Sequence, residues 1–232
     1  MYDIIFISYK EPNADDNWKA LKERFPMAQR VDGVKGIHLA HLQAAKKSLT
    51  KMFWVVDGDA RIVDDFNFDY KVEDYDLDAV HVCKSMNPVN GLVYGYGGVK
   101  LLPKKLTLEM DLTAADMTTS ISSKFNVIDK LSNITAYNTD PFNTWKSAFR
   151  ECVKLASKTI DRQSEDETDN RLNIWTSVGD YQPFGEYAIN GAIAGKEYGL
   201  SNKDNLLALK MINNFDWLEQ QFAKVEQTVQ QA

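Results

Sequence analysis

The chain has 232 residues, 44% hydrophobic and 26% charged, with a formal net charge of −6. That composition supplies one large core, or one core with a helical appendage, and an acidic balance without a basic stripe argues against passive coating of DNA or RNA. Two cysteines far apart, Cys83 and Cys152, form no CxxC pair, which argues against a disulfide scaffold and points to a reducing cytoplasm.

The opening MYDIIFISYKEP lacks a basic leader and reads as a first strand, Ile4 to Ser8, rather than as a signal peptide. Asp15 and Asp16 are placed to cap a helix whose apolar stripe is Trp18, Leu21 and Phe25, ended by Pro26. Met27 to Val31 reads as a short second strand. A second helix follows from Lys35, with Ile37, Ala40, Ala44 and Ala45 on one face, and Met52 to Val56 is a third strand. Buried strands separated by helices imply a parallel sheet with helices on its faces, and such sheets bind ligands beyond the carboxyl ends of their strands. Ser8-Tyr9, Val31-Asp32-Gly33 and Asp57-Gly58-Asp59 then share one rim.

Ala79 to Cys83 reads as a fourth strand, Leu92 to Leu102 as an extended glycine-rich segment, and Asn126 to Tyr137 as two short strands. From Pro141 the pattern turns helical: Phe142, Trp145, Phe149, Val153 and Ala156 recur at helical spacing and form a core stripe. Tyr187 to Ala194 and Leu206 to Phe222 are also helical. The expected organisation is an α/β core over 1–140 and a helical part over 141–232. No apolar run reaches membrane-spanning length, so no membrane partner is expected.

The chemistry concentrates at FWVVDGDA. Two carboxylates with one intervening residue, leaving a fully apolar strand, point toward the same edge, and Gly58 lets the backbone approach a ligand. Mg²⁺ and Mn²⁺ prefer oxygen ligands and commonly take one or two carboxylates plus substrate phosphates. A cation held there would neutralise a departing diphosphate.

The run VDGVKGIHLAHLQAAKKSLTKMFWVVDGDA, Val31 to Ala60, resembles the nucleotide-sugar transferases of GT-A fold, particularly glycosyltransferase family 2. With the opening YDIIFISY-EPNA, the chain looks like the small glycosyltransferase-like proteins of tailed-phage genomes, which would place it in the host cytoplasm. The family likeness covers roughly the first hundred residues, and the phage-type likeness most of the chain. It implies a GT-A, Rossmann-like, mostly parallel sheet with helices on both faces and an α-rich C-terminal part. It implies transfer of a sugar from a nucleoside diphosphate donor, a UDP-sugar, to an acceptor hydroxyl, on a glycan or on a modified base in phage DNA. Asp57 and Asp59 would carry Mn²⁺ or Mg²⁺, with Asp57 and Gly58 against the donor diphosphate. Ser8, Tyr9 and Glu11 would line the nucleoside pocket, and Arg30, Gly33 and Lys35 would sit near base, ribose or phosphates. The chain departs from the family in having no histidine near its C-terminal end: His38, His41 and His81 are all early.

Other segments carry two readings each. Asn87 to Lys105 is either a glycine hairpin or a loop that admits sugar and acceptor, with Tyr94, Gly95, Tyr96 and Gly97 at the contact. Asp140 before Pro141 suits a helix N-cap, and it also stands where an inverting enzyme of the family keeps its catalytic base, with Asp116 as second candidate. His38 and His41 share a helical face without a third ligand, so His41 reads as packing and His38 as nearer the rim. Lys146 and Arg150 face either phosphate or solvent. Glu165 to Asp169 reads as a solvated acidic turn. Lys100, Lys104 and Lys105 would supply a local basic surface if the acceptor were DNA. A sugar-phosphate nucleotidyltransferase is the alternative enzyme, though SYKEPNADD lacks its phosphate loop, and a non-catalytic nucleotide-sugar-binding protein is the third reading.

Overall fold

The computed structural model describes residues 1–95, 97–114, 116–158 and 164–229, with side chains as far as Val225 in the last helix. The chain divides into two compact units: Met1–Asn87 with Val93–Ala136, and Pro88–Leu92 with the chain from Tyr137 onward.

The first unit opens with β1 (Asp3–Ser8), α1 (Ala14–Arg24), β2 (Gln29–Asp32), α2 (Ile37–Lys47) and β3 (Met52–Asp57). Then come β4 (Ala60–Ile62), β5 (Val80–Met86), β6 (Val93–Tyr94), β7 (Val99–Pro103), the short helices α3 (Lys104–Leu108) and α4 (Met117–Ile121), and β8 (Phe125–Thr135). Among the described residues these strands form an eight-stranded sheet in the order β2-β1-β3-β7-β5-β8-β4, with β6 on β5. β1, β2, β3, β5 and β8 run one way, while β4, β6 and β7 run against them. The α/β class is therefore present with a reversed strand, β7, between β3 and β5. The expected pair of short strands near Asn126 to Tyr137 is one long strand, β8, whose pairing with β5 is irregular around Lys84.

β1 and β3 are apolar on every interior position because both faces of the sheet are covered. Ile4, Phe6, Trp54 and Val56 pack with Leu21 and Trp18 of α1 on one face. Ile5, Ile7, Phe53 and Val55 pack with Ala40, Ala44 and Ala45 of α2 on the other. The expected cap of α1 differs: Asp15 and Asp16 lie inside its first turn, where the helix dipole favours carboxylates, and Asn13 takes the N-cap position.

The second unit carries α5 (Pro141–Ser157), α6 (Glu165–Trp175), α7 (Gly185–Ser201), α8 (Leu206–Lys210) and α9 (Phe215–Val229). Its core is aromatic: Trp145 stacks on Phe149 with ring centroids 4.8 Å apart, and Phe222 and Trp217 pack around them. Gly191, Gly195 and Gly199 on α7 face the backbone carbonyls of Trp145, Phe149 and Val153, so close that any Cβ would intrude. The acidic run Glu165 to Asp169 is not a turn. It forms the start of α6, where Ser164 accepts the Glu167 N–H at 3.3 Å and the helix dipole stabilises the carboxylates.

Candidate functional site

The path of the first three strands creates the site. From β1 the chain passes through α1 to β2 on one side, then through α2 to β3 on the other side of β1. Ile7 pairs with Val31 on β2 and with Asp57 on β3. The two connecting helices cover opposite faces of the sheet. At such a switch point the connections diverge and leave a crevice at the carboxyl ends of the central strands. Ser8 and Asp57 end those strands.

The Asp57-Gly58-Asp59 turn is held by three different elements. The Asp57 N–H donates to the Gly98 carbonyl at 2.9 Å, the Asn17 side chain of α1 donates to the Gly58 carbonyl at 2.9 Å, and the Ala136 N–H donates to the Asp59 carbonyl at 2.7 Å. The turn is thus fixed before any ligand arrives. Gly58 does not have a positive φ. Glycine there leaves room for the Glu11 carboxylate: a Cβ would stand 2.7 Å from Glu11 Oε2 and 3.2 Å from Ser8 Cβ, so a side chain would displace that carboxylate.

Glu11 reaches this position because the chain turns sharply after β1. Lys10 adopts a left-handed φ of 62°, a conformation that costs a non-glycine residue energy and concentrates at functional sites. The Tyr9 N–H then donates to Glu11 Oε2 at 2.6 Å.

Beside it, Ser8 Oγ donates to Asp32 Oδ1 at 2.5 Å and accepts from Arg30 Nε at 3.0 Å. Arg30 also reaches Asp15 at 2.7 Å and Asp32 at 3.1 Å. The Gly33 N–H donates to the Ser8 carbonyl at 3.0 Å, with Gly33 at φ 73°. Lys35 is exposed in the loop that enters α2. Ser8, Tyr9, Glu11, Arg30 and Gly33 are therefore neighbours, joined by Asp32 and Asp15.

Lys100 was grouped in the sequence with Lys104 and Lys105 as basic surface, and here the structure corrects the expectation. Lys100 is 3% exposed and its ammonium sits 2.8 and 2.9 Å from the two Asp57 oxygens and 2.6 Å from the Gly97 carbonyl. Lys104 donates to the Ser48 carbonyl at 2.6 Å, leaving Lys105 as the exposed member.

Of the sugar-loop residues, Tyr94 is buried on β6, Gly95 and Gly97 lie in the connection to β7, and Tyr96 lies outside the described residues. Asn133, fully buried on β8, fills the space where a Gly98 side chain would go and is itself satisfied by Ser85, Ser132 and Thr135.

Both candidate bases are helix N-caps. Asp116 accepts the Thr119 N–H at 3.0 Å and the Thr118 hydroxyl at 2.6 Å. Asp140, in the second unit, accepts the Asn143 N–H at 2.8 Å and its side-chain amide at 2.6 Å. Burial alone would raise the Asp140 pKa, but those bonds, the Thr139 hydroxyl and the Lys146 charge together hold it below the ordinary value. Lys146 and Arg150 both lie over the Phe215 ring, and Arg150 donates to the Ile212 carbonyl at 2.8 Å.

His41 is fully buried, with Nδ1 2.8 Å from the Ile37 carbonyl. Burial, then the Lys100 charge, pull its pKa well below the ordinary value. Burial also pushes the Cys83 thiol up to about 12, away from thiolate chemistry.

Among the described residues, no group of three or more His, Cys, Asp or Glu is placed to hold a metal ion by itself. Two carboxylates at a crevice still fit a hard cation that draws its remaining oxygens from a bound diphosphate. Among the described residues, no helix is long and apolar enough to cross a membrane.

The chain matches no protein-family model and no curated protein. Among solved structures it is similar to the mannosyltransferase PcManGT from Pyrobaculum calidifontis in complex with GDP-Man and Mn²⁺. That match has 10% identity and a TM-score of 0.44, covering 92% of this chain and 87% of that one. It is also similar to HddC from Yersinia pseudotuberculosis, at 13% identity and a TM-score of 0.34, over 57% of this chain and 92% of that one.

Proposed function

We propose that this chain is a glycosyltransferase that moves a sugar from a nucleoside diphosphate donor, of the UDP-sugar type, to an acceptor hydroxyl. The observation that carries this reading is the Asp57-Gly58-Asp59 turn, fixed by three elements at the crevice between β1 and β3. An apolar ligand has no use for carboxylates there. A diphosphate does, through a divalent cation that the acidic pair would hold and that would neutralise its charge.

In this reading Ser8, Tyr9, Glu11, Arg30 and Asp32 line the nucleoside end, where their hydrogen-bonded chain offers both donors and acceptors. Gly33 and Lys35 border the ribose and phosphates. Asp57 and Asp59 mark the diphosphate end, and Mn²⁺ or Mg²⁺ supplies neutralisation of the leaving diphosphate when bound. Gly95 and Gly97 flank the sugar. Asp140 takes the acceptor proton, which makes the transfer inverting.

The test is release of nucleoside diphosphate from a panel of UDP-, GDP-, ADP- and dTDP-sugars, with Mn²⁺ and with EDTA. Metal-dependent release from one donor class is expected. Absence of release from every donor, together with unchanged melting in every nucleoside diphosphate, would overturn the proposal.

A further inference from the structure

Lys100 occupies a position that should be apolar. Across the sheet, one row of partners reads Ile5, Val55, Lys100, Val82, all on the face covered by α2. A buried ammonium is costly unless it is paired and hydrogen-bonded. Here its stem crosses the apolar row and its head reaches Asp57, two residues beyond its β3 partner Val55 on the same face.

An ammonium has three N–H donors and no acceptor. Those of Lys100 meet Asp57 Oδ1, Asp57 Oδ2 and the Gly97 carbonyl. Its donors are used up, and both oxygens of Asp57 already face a cation. From α2, the nearby His41 is kept neutral, so it adds no second charge to the pair.

We propose that Lys100 is a positioning residue that serves as the resident cation of Asp57. Asp57 is then the structural half of the acidic pair, and Asp59 is the half that carries a divalent ion together with donor phosphates. The third bond of Lys100 gives the pairing a second consequence. It ties the Gly97 carbonyl to Asp57, while the Asp57 N–H holds the Gly98 carbonyl, so the glycine segment is fastened to the end of β3. This inference rests on the glycosyltransferase reading of the same crevice and refines which carboxylate does what.

The test is Mn²⁺ binding to the full chain, measured by electron paramagnetic resonance of free Mn²⁺, alone and with UDP. Four variants are compared: Lys100→Met, Asp57→Asn, Asp59→Asn and the double variant Asp57→Asn/Lys100→Met. The double variant removes one charge of each sign and no proposed metal ligand, so it should bind Mn²⁺ at wild-type affinity. Asp59→Asn should weaken Mn²⁺ by about tenfold or more, and Lys100→Met, which releases a carboxylate, should tighten it. Asp57→Asn leaves the ammonium unneutralised and should weaken Mn²⁺ less than Asp59→Asn does. A purely structural lysine would not tighten metal binding when removed. Should Lys100→Met fail to fold by circular dichroism, the double variant still decides, because deleting both partners of a buried pair leaves no orphaned charge.

A double variant that loses Mn²⁺ as Asp59→Asn does would overturn the proposal and make Asp57 a ligand, with UDP binding by the wild type leaving the glycosyltransferase reading intact. A wild-type chain that binds neither Mn²⁺ nor any nucleoside diphosphate would overturn both.

Discussion

Gly58→Ala separates the crevice from the fold that builds it. Gly58 lies outside the left-handed region, so alanine brings no backbone strain. The new methyl meets Glu11 Oε2 at 2.7 Å and Ser8 Cβ at 3.2 Å. The Glu11 carboxylate is the movable partner, and moving it breaks the 2.6 Å bond from the Tyr9 N–H. A hydrogen bond to a charged group contributes about 1.5–3 kcal/mol when fully formed. Glu11 is only half-buried and water can replace the lost donor, so the cost falls to about 1 kcal/mol. Alanine restricts the unfolded chain and returns about 0.4–1 kcal/mol. The two nearly cancel, and the melting temperature should move by no more than about 2–4 °C. Binding has no such offset. A methyl group forced into a filled site costs about 1–3 kcal/mol, which is a loss of about 5- to 150-fold in nucleoside diphosphate affinity. Calorimetric titration of UDP with Mn²⁺ on a variant whose melting has first been checked measures this directly. A Gly58→Ala chain that melts normally and binds as tightly as wild type would refute the reasoning, because the floor between Ser8 and Asp59 would then not be where the ligand sits.

Asp140→Asn should keep the cap of α5 and the melting temperature while lowering turnover by about 10², whereas Asp140→Ala should also lose about 1 kcal/mol of stability; normal turnover in the asparagine variant would leave Asp140 a cap only. At Asp3, burial would raise the carboxyl pKa, but the Leu49 and Thr50 N–H groups and the Ser48 and Thr50 hydroxyls outweigh it and hold the value below ordinary. Its stabilisation is therefore present above the ordinary carboxylate pKa and is lost as pH falls through the lower folded value, so Asp3→Asn should flatten the acid limb of a stability–pH curve. Gly195→Ala would gain about 1 kcal/mol in helix propensity, yet its Cβ would stand 2.3 Å from the Phe149 carbonyl. The clash wins, with a net loss of up to about 2 kcal/mol expected in denaturant melts.

Much of the fold was legible because its signals are local. Met52 to Val56 is apolar without a break, and only a strand covered on both faces needs that. The alanines of α2 recur on one face, and Asp140-Pro141 announces a helix start that the cap bonds realise. What could not be read depends on distant partners. Nothing near Val99 to Pro103 says that β7 runs against β3, because either direction buries the same side chains. Lys100 looked like one of three surface lysines, since its partner Asp57 stands 43 residues away. A lysine between valine and leucine in an apolar strand was the available signal. Gly58 reads as letting the backbone approach a ligand, whereas in the structure the carboxylate of Glu11 occupies the space a side chain would take. The acidic run at Glu165 reads as solvated in isolation, and only Ser164 as its cap makes it a helix start.

The central claim is that the β1–β3 crevice holds a metal-bridged nucleoside diphosphate. Thermal unfolding of the wild-type chain in UDP, with Mn²⁺ and then with EDTA, tests it most directly. A ligand that binds only the folded state at about 100 times its dissociation constant adds about 2.7 kcal/mol, which for a chain of this size raises the midpoint by about 5–10 °C. The account predicts that rise with Mn²⁺ and a much smaller one with EDTA. An identical midpoint with and without nucleotide, in Mn²⁺ and across uridine, guanosine, adenosine and thymidine diphosphates, would contradict it.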